Sequence, residues 1–305
     1  MRKHYVLITG AGGQLGTELR RCKWPQEWSV VAINRADLEL TDLIAVNARI
    51  AAGHAGQRFS AIINCAAYTA VDRAESDQIT AWAINAQAPA ALAAACVDAD
   101  IPLVHVSTDY VFTGNKEDAW RPDDPVGPLS VYGSSKLAGE MAIRSAGARH
   151  AIVRTAWVFS AHGNNFVKTM LRLAETNEAL SIVGDQHGSP TGAAELAAAL
   201  ATIAVRLAGD PSAPIGTFHF SGAGATTWAL FAEEIFRQSA LRGGPKASVT
   251  PIETADYPTP AKRPAYSLLD HAAIADAYGI VPRPWQEALS DTLNELLGPC
   301  ICDGN

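Results

Sequence analysis

Short apolar runs alternate along the first two-thirds of the chain with stretches whose apolar positions recur at helical spacing. The runs, rich in Val and Ile, predict strands over 5–9, 30–34, 61–64, 102–107, 151–155 and 180–183. Between them, helices are predicted near 15–22, 43–52, 79–97 and 134–145. Strand and helix in alternation imply repeated βαβ units, hence an α/β, Rossmann-type doubly wound parallel sheet. After about residue 157 the rhythm loosens, and Pro and Gly gather in 210–216, 243–251 and 258–264. The expected organisation is a dinucleotide-binding domain over 1–157, rejoined by 180–210. A smaller C-terminal substrate-binding lobe would comprise 158–179 and 211–298, followed by a flexible tail, 299–305.

Composition narrows the picture. Of 305 residues 48% are apolar and 18% charged, which supplies a sizeable core. A formal charge of −7 argues against nucleic acid as a partner, because phosphate backbones call for a basic face. Cys22, Cys65, Cys96, Cys300 and Cys302 are odd in number and mostly scattered, which suits a reducing compartment. Cys300 and Cys302 alone are too few to hold a structural zinc. The first apolar run is too short for a secretory signal, and no stretch reaches the roughly 18 apolar residues of a membrane span. A cytoplasmic protein is expected.

The first chemical motif falls where the first strand meets a helix: Thr9-Gly10-Ala11-Gly12-Gly13-Gln14-Leu15-Gly16. Gly10, Gly13 and Gly16 follow G-x-x-G-x-x-G, a turn that lets backbone approach a pyrophosphate at a helix N-terminus. Some twenty residues on, where NAD sites carry a ribose-binding carboxylate, stands Asn34-Arg35. A guanidinium there suits the extra phosphate of NADPH, or tolerance of NADPH and NADH; Arg35 as a solvated loop residue is the alternative.

Tyr132-Gly133-Ser134-Ser135-Lys136 places a phenol and an ammonium one helical turn apart. A tyrosine of ordinary pKa, about 10, exchanges protons poorly at neutral pH unless a neighbouring charge stabilises its phenolate. The predicted strand 102–107 leads into Thr108-Asp109-Tyr110-Val111-Phe112, at the strand end where open α/β sheets bind ligands. Thr108 can therefore bond a substrate carbonyl while Tyr132 delivers a proton.

These motifs, with Asn64-Cys65-Ala66-Ala67-Tyr68, resemble those of the extended short-chain dehydrogenases/reductases. Further stretches resemble the dTDP-4-dehydrorhamnose reductase family within that group. They are Gly13-Gln14-Leu15-Gly16, Ala67-Tyr68-Thr69-Ala70-Val71-Asp72, Arg154-Thr155-Ala156-Trp157-Val158-Phe159, Gly163-Asn164-Asn165-Phe166, Gly184-Asp185-Gln186-His187-Gly188-Ser189-Pro190-Thr191 and Pro258-Thr259-Pro260-Ala261 with Arg263-Pro264.

The resemblance implies NAD(P)H-dependent reduction of a C4 keto group on a nucleotide sugar, with Tyr132 as proton donor, Lys136 lowering its pKa and Thr108 steadying the alkoxide. It assigns Gly10, Gly13, Gln14, Leu15 and Gly16 to the pyrophosphate, and Glu39 and Leu40 to the adenine side. Ala66, Ala67 and Tyr68 would meet the middle of the cofactor, and Tyr132 and Lys136 its nicotinamide ribose. Thr69, Val71, Thr108, Asp109, Tyr132 and Trp157 would meet the sugar nucleotide, Asp109 through sugar hydroxyls. Core packing is the other reading of Trp157. Arg263, in Lys262-Arg263, is a candidate for the substrate diphosphate or for a surface salt bridge.

Two departures from the family pattern, the missing acid near Asn34 and Glu39 in place of an aspartate, bear on cofactor choice. Certain relatives form homodimers around magnesium, and Glu18, Glu195 and Glu295 occupy the corresponding positions; solvated glutamates are the plainer reading. Two rivals stand beside the reductase. One is a silent regulatory subunit like the β subunit of methionine adenosyltransferase, against which Thr108, Tyr132 and Lys136 argue. The other is a nucleotide-sugar epimerase or dehydratase; a dehydratase ordinarily has an Asp-Glu pair where this chain has Asp109-Tyr110.

Overall fold

A computed structural model describes residues 3–300; Cys302 and the rest of the expected tail beyond Cys300 lie outside the described residues. Six strands form one sheet in the order Gly216–His219, His150–Thr155, Leu103–Thr108, Ala61–Asn64, His4–Thr9 and Trp28–Ile33, with every neighbouring pair parallel. Strand geometry sends alternate side chains to opposite faces, and here both faces are covered, so the runs are apolar throughout. Val6, Ile8, Ile63, Val104 and Val153 pack beneath helices Gln14–Arg21 and Ala193–Gly209. Leu7, Ile62, Leu103 and Ile152 pack against Leu43–Ala52, Ala88–Asp98 and Val131–Ala146. The second and third strands flank the first on opposite sides, which makes a topological switch point with a ligand crevice at its carboxyl end.

The predicted strands are all present, but one pairs elsewhere than expected and the main sheet gains a strand that was not predicted. Ala179–Val183 does not rejoin the main sheet: it pairs with Ser248–Ile252 in a separate two-stranded sheet. Conversely Gly216–His219, expected in the second lobe, forms the edge of the main sheet beside His150–Thr155. An apolar run announces a strand without naming its partner, and a four-residue strand opened by glycine shows no period at all.

The helix expected over 79–97 is divided into Gln78–Trp82, a π-helical turn Ala83–Gln87 and Ala88–Asp98. Pro89 has no N–H to give the Asn85 carbonyl four residues back, and the Asn85 side chain is drawn to the Tyr68 backbone and the Ser135 hydroxyl. The smaller lobe has its own core, in which Phe159, Met170, Phe231, Ile235 and Leu289 pack between helices Phe166–Ala174, Trp228–Ala240 and Trp285–Leu297. Among the described residues no helix is long and apolar enough to cross a membrane.

One buried ion pair ties helix Val131–Ala146 to the sheet. Arg154, 1% exposed, grips the fully buried Glu140 through Nε at 2.9 Å and Nη2 at 2.8 Å. Arg144 adds a contact at 2.6 Å, and the Arg154 guanidinium lies over the Phe112 ring. Burial pushes the Glu140 pKa up, but Arg154 and Arg144 outweigh it and hold it below its ordinary value. Glu140→Ala would strand a guanidinium inside the protein, a loss of about 3–5 kcal/mol. Urea unfolding of the variant at neutral pH measures it; a loss below about 1 kcal/mol, the scale of a surface pair, would mean that the pair does not anchor the helix.

Candidate active site

A cavity of about 960 Å³ runs along the carboxyl ends of the strands, from the glycine turn to the smaller lobe. Gly10 (φ +72°) lies so close to the third strand that a Cβ would stand 2.7 Å from the Ala66 nitrogen, and one on Gly16 would collide with the Gly10 carbonyl. Only glycine allows that approach. Helix Gln14–Arg21 starts at Gly13 with no side-chain cap, leaving first-turn N–H groups for a ligand. Gly10, Gly13, Gln14, Leu15 and Gly16 all line the cavity. The Gln14 carbonyl oxygen accepts from Asn165 Nδ2 at 2.9 Å and Ser160 Oγ at 3.1 Å, so the smaller lobe sets its orientation.

Asn34, Arg35, Glu39 and Leu40 line the end beyond the second strand. The Asn34 side chain is spent on its own turn, accepting from the Ala36 N–H. Arg35 Nε lies 2.6 Å from Glu39 Oε2, and both side chains are exposed. The arginine thus has a partner that a phosphate would have to replace.

Thr108, Asp109, Tyr132 and Lys136 converge on the floor, with Ala66, Ala67, Thr69 and Val71 on the wall. The Thr108 hydroxyl donates to Asp109 Oδ1 at 2.9 Å, while Asp109 Oδ2 is buried without a partner. Burial pushes the Asp109 carboxyl up to about 6, against the hydrogen bond from Thr108. It pushes Tyr132 up to about 12 as well, with Thr108 pulling down and the Asp109 charge pushing up. Lys136 is turned away from that balance: its Nζ donates to the Val106 carbonyl at 2.7 Å and lies 3.3 Å from His105 Nε2. Burial dominates at Tyr132, and the tyrosine keeps its proton at neutral pH.

At the far wall, Trp157 stacks on Trp228 with ring centroids 3.6 Å apart. Trp157 has φ +49°, a backbone strain uncommon outside glycine and often stored at functional sites. It lines the cavity, and its ring also touches the smaller lobe's core, so both readings of it describe part of its surface.

Other expected residues are placed differently. Tyr68 is not among the lining residues; its hydroxyl donates to Asp77 and its backbone pairs with Asn85. Arg263 is also outside the lining, in a salt bridge to Asp72 at 2.7 Å with further bonds to Thr259 and the Ala261 carbonyl. Glu18, Glu195 and Glu295 border a second cavity of about 170 Å³, in which Glu18 and Glu295 gather with His162 while Glu195 stands outside that cluster. Arg21 bonds Glu295 at 2.7 Å and approaches Glu18 at 3.8 Å, while Arg283 holds Glu195 at 2.6 Å. These arginines compete with a hard metal for carboxylate oxygens, although Glu195 Oε2 is buried without a partner. His162 joins Glu18 and Glu295, bonded to Arg21.

Sequence reasoning missed Trp228, Asn165, Ser160, Asn85 and His105. Asn165 stood within a quoted motif without a role; no spacing marks the others, which reach the site by folding.

A parallel sheet with a glycine turn at its switch point and a Thr–Tyr–Lys set in the crevice above it defines a nicotinamide-dependent oxidoreductase of the extended short-chain dehydrogenase/reductase type. The profile of the RmlD substrate binding domain matches residues 3–297. A dTDP-4-dehydrorhamnose reductase of Sinorhizobium fredii is 41% identical over 284 residues, 93% of this chain and 94% of that one. A crystal structure of such a reductase from Clostridium acetobutylicum superposes with a TM-score of 0.87 at 37% identity, covering 96% and 99% of the two chains. Another, from Bacillus anthracis in complex with NADP, gives 0.86 at 35% identity, with the same coverage. The chain belongs to the dTDP-4-dehydrorhamnose reductase family.

The Asp109 carboxyl generates a stability test. Its folded pKa, about 6 against 3.8 ordinarily, means that the folded state holds the extra proton between those values. Stability conferred by the protonated form is therefore full below about pH 4 and lost as pH rises through about 6, on the order of 3 kcal/mol. Asp109→Asn should be more stable than the parent at pH 7.5, with the difference vanishing in acid. Urea unfolding across that range checks it; equal pH dependence in both proteins would refute the buried, raised carboxyl.

Proposed function

We propose that the chain reduces the C4 keto group of dTDP-4-dehydro-L-rhamnose to dTDP-L-rhamnose with NADPH or NADH, within nucleotide-sugar and cell-surface polysaccharide biosynthesis. The observation that carries this reading is the single cavity that joins the glycine turn, the buried Thr108, the half-buried Tyr132 and the Trp157–Trp228 stack. Family membership supplies the substrate.

The nicotinamide supplies the hydride when bound. Tyr132, which keeps its proton at neutral pH, is the acid that protonates the carbonyl oxygen, and Thr108, turning its one hydroxyl hydrogen from Asp109, donates to the same oxygen as negative charge develops. Asp109 holds sugar hydroxyls through the oxygen that has no protein partner. The tryptophan pair offers an apolar wall to the deoxysugar or base, and Thr69 and Val71 border it. Arg35 reaches the 2′-phosphate of NADPH by exchanging Glu39 for it, so NADPH is the preferred cofactor and NADH is tolerated. Free Cys22, Cys65, Cys96 and Cys300 support a reducing, cytoplasmic setting.

A protonated Tyr132 that lines the same cavity as Thr108 favours an enzyme over the silent regulatory subunit. Asp109-Tyr110, with the Tyr110 hydroxyl pushed up by burial, favours reduction over dehydration. Absorbance loss of NADPH with dTDP-4-dehydro-L-rhamnose tests the assignment, and Tyr132→Phe should lower kcat by about 10²–10⁴. A folded, cofactor-binding protein that turns over with neither NADPH nor NADH would sink it. Arg35→Ala should raise KM for NADPH about tenfold while leaving that for NADH within about twofold, the worth of one charge-assisted hydrogen bond. Equal changes for both would remove Arg35 from cofactor choice.

A further inference from the structure

Asn165 bonds in two directions where the smaller lobe meets the glycine turn. It stands at the N-cap of helix Phe166–Ala174, where its Oδ1 accepts from the Lys168 N–H at 3.1 Å. Its Nδ2 donates to the Ser160 carbonyl at 2.8 Å and to Gln14 Oε1 at 2.9 Å. A backbone N–H can only donate and a backbone carbonyl can only accept, so the oxygen of Asn165 faces Lys168 and its NH₂ faces Ser160 and Gln14. Both amide hydrogens are thereby committed, since the third acceptor nearby, the His162 carbonyl, is 3.4 Å away.

Gln14 must then present its oxygen to the smaller lobe. Ser160 Oγ, 3.1 Å from Gln14 Oε1, can reinforce this, but its single hydrogen is also within reach of the His162 carbonyl at 3.0 Å. Asn165 is therefore the donor that fixes the amide. The loop also lies along the stem of Gln14: a Cβ on Gly163, which has φ +62°, would stand 3.2 Å from Gln14 Cγ. Gln14 is the first residue of helix Gln14–Arg21 and lines the cavity with Gly13, Gly163 and Asn164. Its hydrogen bonds to the protein run through Oε1, so the group left for a ligand is its NH₂.

We infer that Asn165 is a positioning residue for cofactor binding: by holding the oxygen of Gln14, it leaves the Gln14 NH₂ to donate to the dinucleotide pyrophosphate at the glycine turn.

The inference rests on the assignment of this turn to NAD(P)H. A pyrophosphate at neutral pH accepts hydrogen bonds, so the two ends of a glutamine amide act on it oppositely: the NH₂ attracts it and the carbonyl oxygen repels it. Half a turn about the last side-chain bond of Gln14 exchanges the two ends. The choice between them is made 151 residues further along the chain, by a cap whose own direction is set by the Lys168 N–H. Pyrophosphate affinity is in this way linked to the seating of the smaller lobe. Simple adhesion between the lobes would use the same bond, but would be indifferent to which end of Gln14 meets the cofactor.

The test is a double-mutant cycle on the full chain, read as the dissociation constant for NADPH from quenching of tryptophan fluorescence. Asn165→Asp keeps an oxygen for the Lys168 N–H and caps a helix as well as asparagine does, but it offers Gln14 an acceptor in place of a donor. Gln14 should turn, giving its NH₂ to the aspartate and its oxygen to the pyrophosphate. The carboxylate also repels the pyrophosphate directly, and that part alone persists in a Gln14→Ala background. Asn165→Asp should therefore weaken NADPH binding about tenfold more in the parent than in Gln14→Ala, the worth of one hydrogen bond to a charged group. In turnover with dTDP-4-dehydro-L-rhamnose the loss should fall on KM for NADPH more than on kcat. Equal factors in the two backgrounds, or a loss confined to kcat, would overturn the inference and leave the cofactor site standing; a parent that binds no NADPH would overturn both. Should Asn165→Asp not fold, Asn165→Ser, a neutral cap too short to reach Gln14, goes through the same cycle, and equal factors again decide against the inference.

Discussion

Glu140 has no access to water, and its charge can be held only by the two arginines that reach it. That constraint locks the helix carrying Tyr132 and Lys136 onto the strand carrying Arg154. The same guanidinium reaches the Pro122 carbonyl and approaches His219, whose other ring nitrogen meets the Trp120 carbonyl. The edge strand and the loop beyond Phe112 are thereby tied to one charge. A buried pair of this kind adds little net stability over an apolar replacement, yet breaking one half is costly, so it specifies position more than it strengthens the fold.

With that helix placed, the cavity assembles from parts that are distant in sequence. The glycine turn brings backbone against the third strand, Gln14 is oriented by Asn165 and Ser160 of the smaller lobe, and Trp157 is held in a strained conformation against Trp228. Gly188 belongs to the same arrangement: a Cβ there would stand 2.6 Å from the Trp157 ring. Burial then does chemical work in one direction. It raises the pKa values of Tyr132 and Asp109 and lowers those of Lys136 and His105, so Tyr132 brings its proton to a reaction in which negative charge grows on a carbonyl oxygen.

Much of this was legible beforehand, and the reason is local. The glycine turn, the Thr108 segment and the Tyr132–Lys136 pair are contiguous stretches whose spacing carries their meaning, and nearly every residue assigned from them lines the cavity. What was misread depended on partners. The run over 180–183 was recognised as a strand but given to the wrong sheet, because an apolar run does not state what it pairs with. Arg263 met Asp72, nearly two hundred residues earlier in the chain, and the three glutamates met Arg21 and Arg283.

The sequence by itself determined the class of fold, the turn that admits a dinucleotide and the residues able to transfer a proton, since helical period, strand alternation and glycine spacing act over a few residues at a time. Only the tertiary structure decided which charges are already paired, that Trp228 backs Trp157, and that an asparagine and a histidine on neighbouring strands face the lysine. Those facts depend on burial and on contacts across the sheet, where a backbone N–H at Ala66 orients the Asn64 side chain toward its neighbour on the next strand.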